Sequence, residues 1–376
     1  MSLTYSIFIH LHLFINMEKI QFHSFKGASQ FRNRIVMSTL LKKPIVISNI
    51  RDKDEQPGLK PYEISFLKLV DAVSTGSKID INETGTRVMY NPGFIRGGKH
   101  TFDCDKERGI GYYAMGIIPL LIFGKQSSYI TFTGVTNNDI DISVDILRIV
   151  TLPSLKYWGI TEGASLAIKK RGCYPNGGGE VYMEMPTVRE LEHCELLDVG
   201  VVKKIRGITY SMRVSPQFGN RIVDSCREVF NHFIPDVHIF TDHYTGAKAG
   251  NSPGYGCTLI GETTTDYEYT TELMAGIGML PEDLGKQVAH LLLEEIHRGG
   301  CIDSLHQGLH LILFAFSPRD VSKIRFGEIT DNSIKLLRLI KEFVGVSFRL
   351  EEDNETHSVI VRGIGSGYKN IARKVT

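Results

Sequence analysis

The sequence predicts an α+β (α/β) protein built from three repeated strand–helix–strand–strand units around a common axis, with a smaller α/β insert domain. Three observations lead to this prediction. One pattern of strand, polar loop, amphipathic helix, glycine and two strands recurs three times. A single unit cannot bury both of its faces, whereas three packed together can. A segment that does not follow this pattern, long enough for a small domain, separates the second copy from the third.

The first unit runs from the strand KPIVISNIR through a helix beginning at Pro61 to a pair of strands over residues 78–93. Proline suits the first position of a helix because its missing N–H has no partner there. Apolar residues recur at helical spacing up to Val73, and Gly76 is the expected stop.

The second unit runs from YITFTGVTNN through a helix over residues 143–160 to the strands ASLAIKK and EVYMEM. The third runs from VSKIRFGEIT through a helix to the strands within residues 346–363. Thr330 or Asp331 is expected to cap the third helix, since both side chains can accept a hydrogen bond from its first turn.

The insert contains a strand, a helix over residues 219–233 and two further strands, and a helix from Pro281 is expected to return the chain to the main body. The predicted domain limits are 17–184 with 282–376 for the large domain, and 185–281 for the insert. Residues 1–16 are expected to be a disordered leader or a mis-called start. Their apolar run is too short to span a bilayer and no basic stretch precedes it.

Composition restricts the functional classes. The chain has 376 residues, 42 % hydrophobic and 23 % charged, as in a soluble globular protein with a substantial core. A net charge of +1 gives little general attraction for nucleic acid, so any RNA site must be a local basic patch. The six cysteines are scattered, and reduced thiols are expected. We expect no metal site, no cofactor and no membrane partner.

The stretch RGCYPNGGGE, residues 171–180, joins two strands and allows two interpretations. It is either a hairpin connection with a bulge, where glycine supplies positive φ, or an anion nest whose bare backbone N–H groups face a phosphate. Lys169, Lys170 and Arg171 add positive charge to the second interpretation.

The pattern Arg171-Gly172-x-x-Pro175-x-Gly177-Gly178-Gly179 resembles the signature of the RNA 3′-terminal phosphate cyclase family. QPGLKPYE, RGG at residues 96–98 and GVTNN agree with the family in order and spacing. The stretches MRVSPQFGNRIVDS, LPEDLG and LLLEEIHRGGCIDSLHQGL resemble its eukaryotic cyclase-like branch. The resemblance covers the chain from about residue 20 onward.

The resemblance identifies the residue on which cyclase activity would depend. A cyclase of this family transfers AMP from ATP to a histidine at the start of the last-repeat helix and then to the RNA 3′-phosphate. Asn332 stands at the matching position, and an amide nitrogen is not nucleophilic. Lys26 lies where active members carry an acid that holds the metal of ATP. The other histidines, His243 and His306 among them, are expected to be hydrogen-bonded structure, with His290 and His297 on an exposed helix edge.

What remains of the cleft is a shell of cations and glycines that can hold phosphate or RNA backbone without transforming it. The predicted anion- and RNA-binding residues are Arg32, Arg51, Arg96, Lys99, Arg171, Gly177, Gly178 and Gly179.

The branch implies a nuclear, nucleolar assembly factor for the small (40S) ribosomal subunit. Its expected partners are pre-ribosomal RNA and a ribosome-assembly GTPase of the small-subunit processome. A second hypothesis is an endoribonuclease that cleaves pre-ribosomal RNA through Arg319, Asp320 and Lys323, in the loop SPRDVSKIR. The alternative interpretation of this loop is a turn whose charged side chains are solvated. Asn332 disfavours an active cyclase, and the RNA-cyclase motifs disfavour an enolpyruvyl-transferase-like enzyme.

Overall fold

The structure, a computed structural model, describes residues 21–353, 356 and 358–373. The predicted leader, residues 1–16, lies outside the described residues. Within the described ranges, no helix is both long and apolar enough to cross a membrane.

The first unit is a four-stranded sheet with two helices, in the strand order β1-β2-β5-β4. Strand β1 pairs parallel with β2, and β5 pairs antiparallel with β2 and β4. The short strands β3 and β6 form a separate two-stranded sheet. The elements are β1 (His23–Lys26), α1 (Phe31–Leu41), β2 (Ile45–Ser48), α2 (Pro61–Val73), β3 (Ser74–Thr75), β4 (Lys78–Ile81), β5 (Val88–Asn91) and β6 (Phe94–Ile95).

The second unit repeats this arrangement in the order β7-β8-β10-β9. Its second helix changes character along its length, from α to π, back to α, and then to a 3-10 turn. The elements are β7 (Gly98–Asp103), α3 (Ile110–Ile122), β8 (Ser128–Gly134), α4 (Val144–Ile146, Leu147–Thr151, Leu152–Ser154 and Leu155–Trp158), β9 (Ser165–Lys170) and β10 (Gly179–Met185).

The third unit is interrupted by the insert. Its first strand, β11 (Glu195–Leu196), pairs parallel with a strand more than a hundred residues later in the chain. The insert then follows as β12 (Val202–Met212), α5 (Gln217–Phe230), β13 (Val237–Tyr244), β14 (Gly254–Thr263), β15 (Glu268–Met274) and α6 (Pro281–Arg298). The third unit resumes with α7 (Gln307–Ala315), β16 (Val321–Phe326), α8 (Asp331–Leu339, continued by Ile340–Val344), β17 (Phe348–Asp353) and β18 (Ser358–Ile364), in the sheet order β11-β16-β18-β17.

The three repeated units are confirmed, and each is longer than the sequence pattern indicated. A further strand and helix precede the predicted part: β1 and α1, β7 and α3, β11 and α7. Helix α3 explains why the pattern missed these helices, since every residue in it except Met115 is buried. A helix that is apolar on all sides has no amphipathic period to detect. Helix α3 packs against both α1 and α7, so these helices meet at the centre of the main core.

Two of the predicted helix signals act as expected and one differs. Pro61 occupies the first position of α2, and the side chain of Thr330 accepts a hydrogen bond from the Ser333 N–H at the start of α8. Helix α2 ends at Val73 rather than at Gly76, because the next two residues pair as β3 with β6.

The insert has its own hydrophobic core between α5, α6 and one face of the sheet β13-β12-β14-β15. Helix α6 supplies Leu284, Val288, Ala289 and Leu292 to this core. The packing therefore groups α6 with the insert, whereas the sequence pattern assigned it to the large domain. The limits 17–184, 185–281 and 282–376 stay a prediction.

Candidate functional site

A cavity of about 360 Å³ lies where the N-terminal ends of α1 and α8 meet α7 and the end of α6. Leu309 and Ile312 of α7 form part of its apolar wall. Its polar lining comes from four separate parts of the chain: Arg32, Asn33, Arg298, Ser304, Thr330, Asn332 and Ser333.

Asn332 lies in the first turn of α8 and is held by the loop before α1. The Gln30 side-chain amide donates to Asn332 Oδ1 at 2.7 Å and to its main-chain oxygen at 3.3 Å. The Gln30 oxygen in turn accepts from Asn33 Nδ2 at 2.6 Å. With Oδ1 engaged in this way, the Asn332 amide N–H₂ is left as a hydrogen-bond donor at the cavity.

Two arginines give the cavity positive charge. Arg32 is half-buried, donates to the Tyr112 carbonyl at 2.6 Å and stacks over the Tyr112 ring. Burial lowers the pKa of the Arg32 guanidinium, and the neighbouring Tyr112 and Asp141 oppose this shift. Arg298 donates to Glu295 at 3.1 Å. With the helix N-terminus of α8 beside them, these donors suit an anion.

The glycine loop forms a hairpin connection between β9 and β10, with an irregular register at Glu180. Gly177 and Gly178 have φ of 58° and 79°, values that glycine adopts without strain. A Cβ on Gly177 would lie 2.8 Å from the Gly134 backbone, and the Gly177 carbonyl accepts from the Asn251 N–H at 2.9 Å. These contacts support the hairpin interpretation, because the glycines allow close packing against the end of β8 and against the insert. Anion binding by Gly177, Gly178 and Gly179 stays a prediction.

Arg171 is fully buried and is paired with protein groups. Its guanidinium donates to Asp145 at 2.5 and 2.9 Å and to Asn137 at 3.1 Å. It also stacks between the rings of Tyr210 and Tyr244 of the insert, at 4.9 and 5.2 Å. Burial opposes its charge, but Asp145 raises the pKa of Arg171. The side chain therefore joins the second unit to the insert, a position that sequence reasoning did not anticipate for a predicted anion ligand.

The structure does not bring the other predicted cations to the cavity. Arg51 forms a two-pronged ion pair with Glu63, at 2.7 and 2.8 Å, and Glu63 closes the first turn of α2. Arg96 and Lys99 are exposed at the start of β7. Because β7 runs parallel to β8, Lys99 lies level with Tyr129, whereas the glycine loop lies at the Gly134 end of β8. About five residues of strand, roughly 17 Å, separate the two.

The SPRDVSKIR loop does not gather its three charges around one point. Lys323 is paired with Glu195 at 2.8 Å, and Asp320 accepts from the Val321 N–H at 2.7 Å. Arg319 is directed towards the opposite side of β16, where its Nε lies 3.4 Å from the Ser366 carbonyl. The exposed His193 Nδ1 lies 3.8 Å from Asp320, a proximity that nothing in the sequence indicated.

Buried histidines connect the units. His306 Nδ1 lies 2.5 Å from Asp303 and its Nε2 lies 2.8 Å from the Thr151 hydroxyl. Next to it, Trp158 donates to His310 at 2.9 Å, and burial lowers the pKa of His310 to about 3. The expectation that His306 is hydrogen-bonded structure is confirmed.

The histidines of α6 and of the insert do not line the cavity. His290 and His297 are exposed along α6, as predicted. His243 is exposed as well and contacts the Ser211 hydroxyl at 2.8 Å. All six cysteines are buried free thiols. Among the described residues, no group of three or more histidine, cysteine or acidic side chains has a geometry suited to a metal ion.

Comparison with known proteins places this arrangement in context. The family model described as RNA 3′-terminal phosphate cyclase matches residues 23–350. A probable RNA 3′-terminal phosphate cyclase-like protein of Dictyostelium discoideum is 47 % identical over 93 % of this chain and 98 % of its own length. The human RNA 3′-terminal phosphate cyclase-like protein is 43 % identical over 93 % and 97 %. An rRNA processing protein of Schizosaccharomyces pombe is 41 % identical over 94 % and 99 %.

Proposed function

The chain belongs to the RNA 3′-terminal phosphate cyclase family, and from that premise we propose that it binds pre-ribosomal RNA without cyclising it. In this proposal it acts as an assembly factor in nucleolar pre-ribosomal RNA processing and small (40S) ribosomal subunit biogenesis. Its resemblance to an rRNA processing protein of Schizosaccharomyces pombe supports this role.

One observation carries the non-cyclising part of the proposal. Asn332 stands in the first turn of α8, where the family reaction needs a nucleophilic imidazole, and its side chain is engaged by Gln30. An amide cannot form the phosphoramidate that carries AMP. The cavity keeps two arginines and the helix N-terminus, so binding of an RNA phosphate survives the loss of the nucleophile.

A labelling experiment tests the missing chemistry. Incubated with radiolabelled ATP and a divalent metal, the full chain should carry no label after denaturation. The matched variant Asn332→His restores an imidazole at the same position and reports whether the rest of the cavity still supports transfer. A stable, acid-labile AMP adduct on the unchanged protein would contradict the proposal.

Binding of RNA at the cavity is tested separately. Arg298→Ala should weaken binding of a single-stranded pre-ribosomal RNA fragment and reduce the slope of log affinity against log salt by about 1. Arg338, exposed on α8 and outside the cavity lining, supplies the matched control variant Arg338→Ala. Equal affinity and equal salt slope for the two variants would remove the cavity as the RNA site.

We further propose that a ribosome-assembly GTPase of the small-subunit processome brings the protein to its RNA. A net charge of +1 gives little long-range attraction to RNA, so delivery by a partner compensates for slow encounter. Tagged protein should recover that GTPase together with pre-ribosomal RNA. Depletion should lower small-subunit ribosomal RNA and spare large-subunit RNA, and equal loss of both would argue for a general growth defect.

An endoribonuclease is the second candidate, and the position of His193 favours it. Metal-free cleavage needs a base for the 2′-OH and an acid for the leaving oxygen, and His193 with Asp320 offers both at 3.8 Å. Replacing Arg319, Asp320 and Lys323 together with alanine should then lower cleavage by about 10²- to 10⁴-fold while folding and partner binding persist. Normal cleavage by this variant would exclude the loop. Cleavage lost only together with partner binding would favour the assembly factor.

A further inference from the structure

Strand β13 (Val237–Tyr244) is an edge of the insert sheet. It pairs with β12 on one side, and no strand in the described part of the chain pairs with its other side. An exposed edge of eight residues offers a row of main-chain donors and acceptors that another strand can take up.

The hydrogen bonds at both ends of β13 show which residues face outward. The Asp236 carbonyl accepts from the Ile205 N–H at 2.9 Å, and the Tyr244 carbonyl accepts from the Arg213 N–H at 3.4 Å. Main-chain groups of even-numbered residues therefore face the rest of the sheet. Because the direction alternates along a strand, those of Ile239 and Thr241 face outward.

The even-numbered side chains lie on the sheet face opposite α5 and α6, since Val237 and Ile239 belong to the helix-side core. Phe240, at the middle of the strand, is 68 % exposed. His238 and Asp242, two residues to either side, have side chains that are 65 % and 44 % exposed. A large exposed aromatic residue between a basic and an acidic residue is a self-complementary pattern.

We propose that the edge of β13 pairs antiparallel with β13 of a second copy of this chain, about a two-fold axis at Phe240. In this register Phe240 lies opposite Phe240 of the other copy, and His238 lies opposite Asp242 on both sides of the axis. Ile239 and Thr241 exchange the main-chain hydrogen bonds. Phe240 then occupies a pair without main-chain hydrogen bonds, where opposite Cα atoms are closest, at about 4.5 Å.

The contacts already present at the strand are compatible with this pairing. His238 Nε2 lies 3.3 Å from Asp236, and Asp242 accepts from the Tyr244 hydroxyl at 2.6 Å and lies 3.7 Å from the Arg171 guanidinium. A carboxylate has about four lone-pair sites, so Asp242 can accept a further hydrogen bond. One strand pair with two stacked rings buries less than the roughly 1,200 Å² of a stable complex. The dimer is therefore weak and depends on protein concentration.

Sedimentation equilibrium of the full chain, from low micromolar to near-millimolar concentration, measures this association. The unchanged protein should shift from monomer to dimer across that range. Phe240→Lys and Phe240→Asp should each remain monomeric, because like charges meet at the two-fold axis. An equimolar mixture of these two variants should dimerise again, since Lys lies opposite Asp there. Phe233→Lys, at a residue 66 % exposed in the same insert but outside the strand, is the control and should dimerise like the unchanged protein.

Each alternative result overturns the proposal. These results are an unchanged protein that remains monomeric throughout, single variants that still dimerise, or a mixture that fails to dimerise. If the unchanged protein is monomeric and Phe240→Lys nevertheless loses its cellular complexes, a different protein covers this edge. Equal melting temperatures of the two Phe240 variants and the unchanged protein ensure that a lost dimer reflects the surface, not the fold.

Discussion

Replacing Arg171 with methionine should destabilise the protein strongly. Arg171 and Asp145 both have fully buried side chains, and methionine removes the cation while keeping most of the apolar volume. Taking one partner from a buried ion pair leaves an uncompensated charge and costs about 3 to 5 kcal/mol. Arg148, the other cation near Asp145, lies 3.7 Å away and is 41 % exposed, so it replaces little of what is lost.

Arg171→Met should also reverse the direction in which the stability of the protein changes with pH. Burial by itself would raise the pKa of Asp145, but Arg171 holds it below its ordinary value of 3.8. In the unchanged protein, the pair therefore stabilises the fold at neutral pH, and this contribution is lost as the pH falls through the lowered pKa. Without Arg171, burial raises the pKa of Asp145 above its unfolded value. The variant then loses stability as the pH rises, and mild acid partly restores it.

Urea unfolding at pH 7 and pH 5, followed by the fluorescence of Trp158, measures both effects. Trp158 is the only tryptophan in the chain and is buried in the main core. The double variant Arg171→Met/Asp145→Leu should recover most of the stability, because apolar replacements of a buried pair are often neutral. The exposed pair of Arg221 and Glu282 supplies the control Arg221→Met, which should change little. A loss below about 1 kcal/mol for Arg171→Met, as for a surface pair, would refute the reasoning, as would a variant less stable at pH 5 than at pH 7.

Three smaller changes test other parts of the structure. Gly177 and Gly246 share a φ of 58°, but only Gly177 has backbone atoms within 3 Å of a new Cβ. Gly177→Ala should therefore lower the melting temperature more than Gly246→Ala. Equal losses would mean that the positive φ alone causes the destabilisation, without a contribution from the close contact. Burial raises the pKa of Glu272 to about 8, so the stability contributed by its protonated form is lost as the pH rises from about 4.5 to 8. Glu272→Gln should flatten the plot of melting temperature against pH over this range, and an unchanged plot would contradict this. Thr330→Ala removes the cap of α8 and should cost about 1 kcal/mol in chemical denaturation, with Thr330→Ser keeping most of the stability.

Features that depend on neighbouring residues could be predicted from the sequence alone. The start of α2 at Pro61, the cap at Thr330 and the turn at the glycine loop each follow from local backbone chemistry. The three repeated units were visible because amphipathic helices and paired strands leave a periodic pattern. Asn332 could be placed because the family motifs lie in order along the chain.

Contacts between residues that are distant in the chain could not be predicted in this way. A buried cation and an exposed one look the same in a sequence, so the enclosure of Arg171 by Asp145 and two tyrosines had no local signal. Helix α3 was missed because a helix buried on all sides has no polar face. The cavity joins Arg32, Arg298 and Asn332 from three distant segments. Their proximity depends on how the units pack around the shared core, and packing between distant segments leaves no period in the chain.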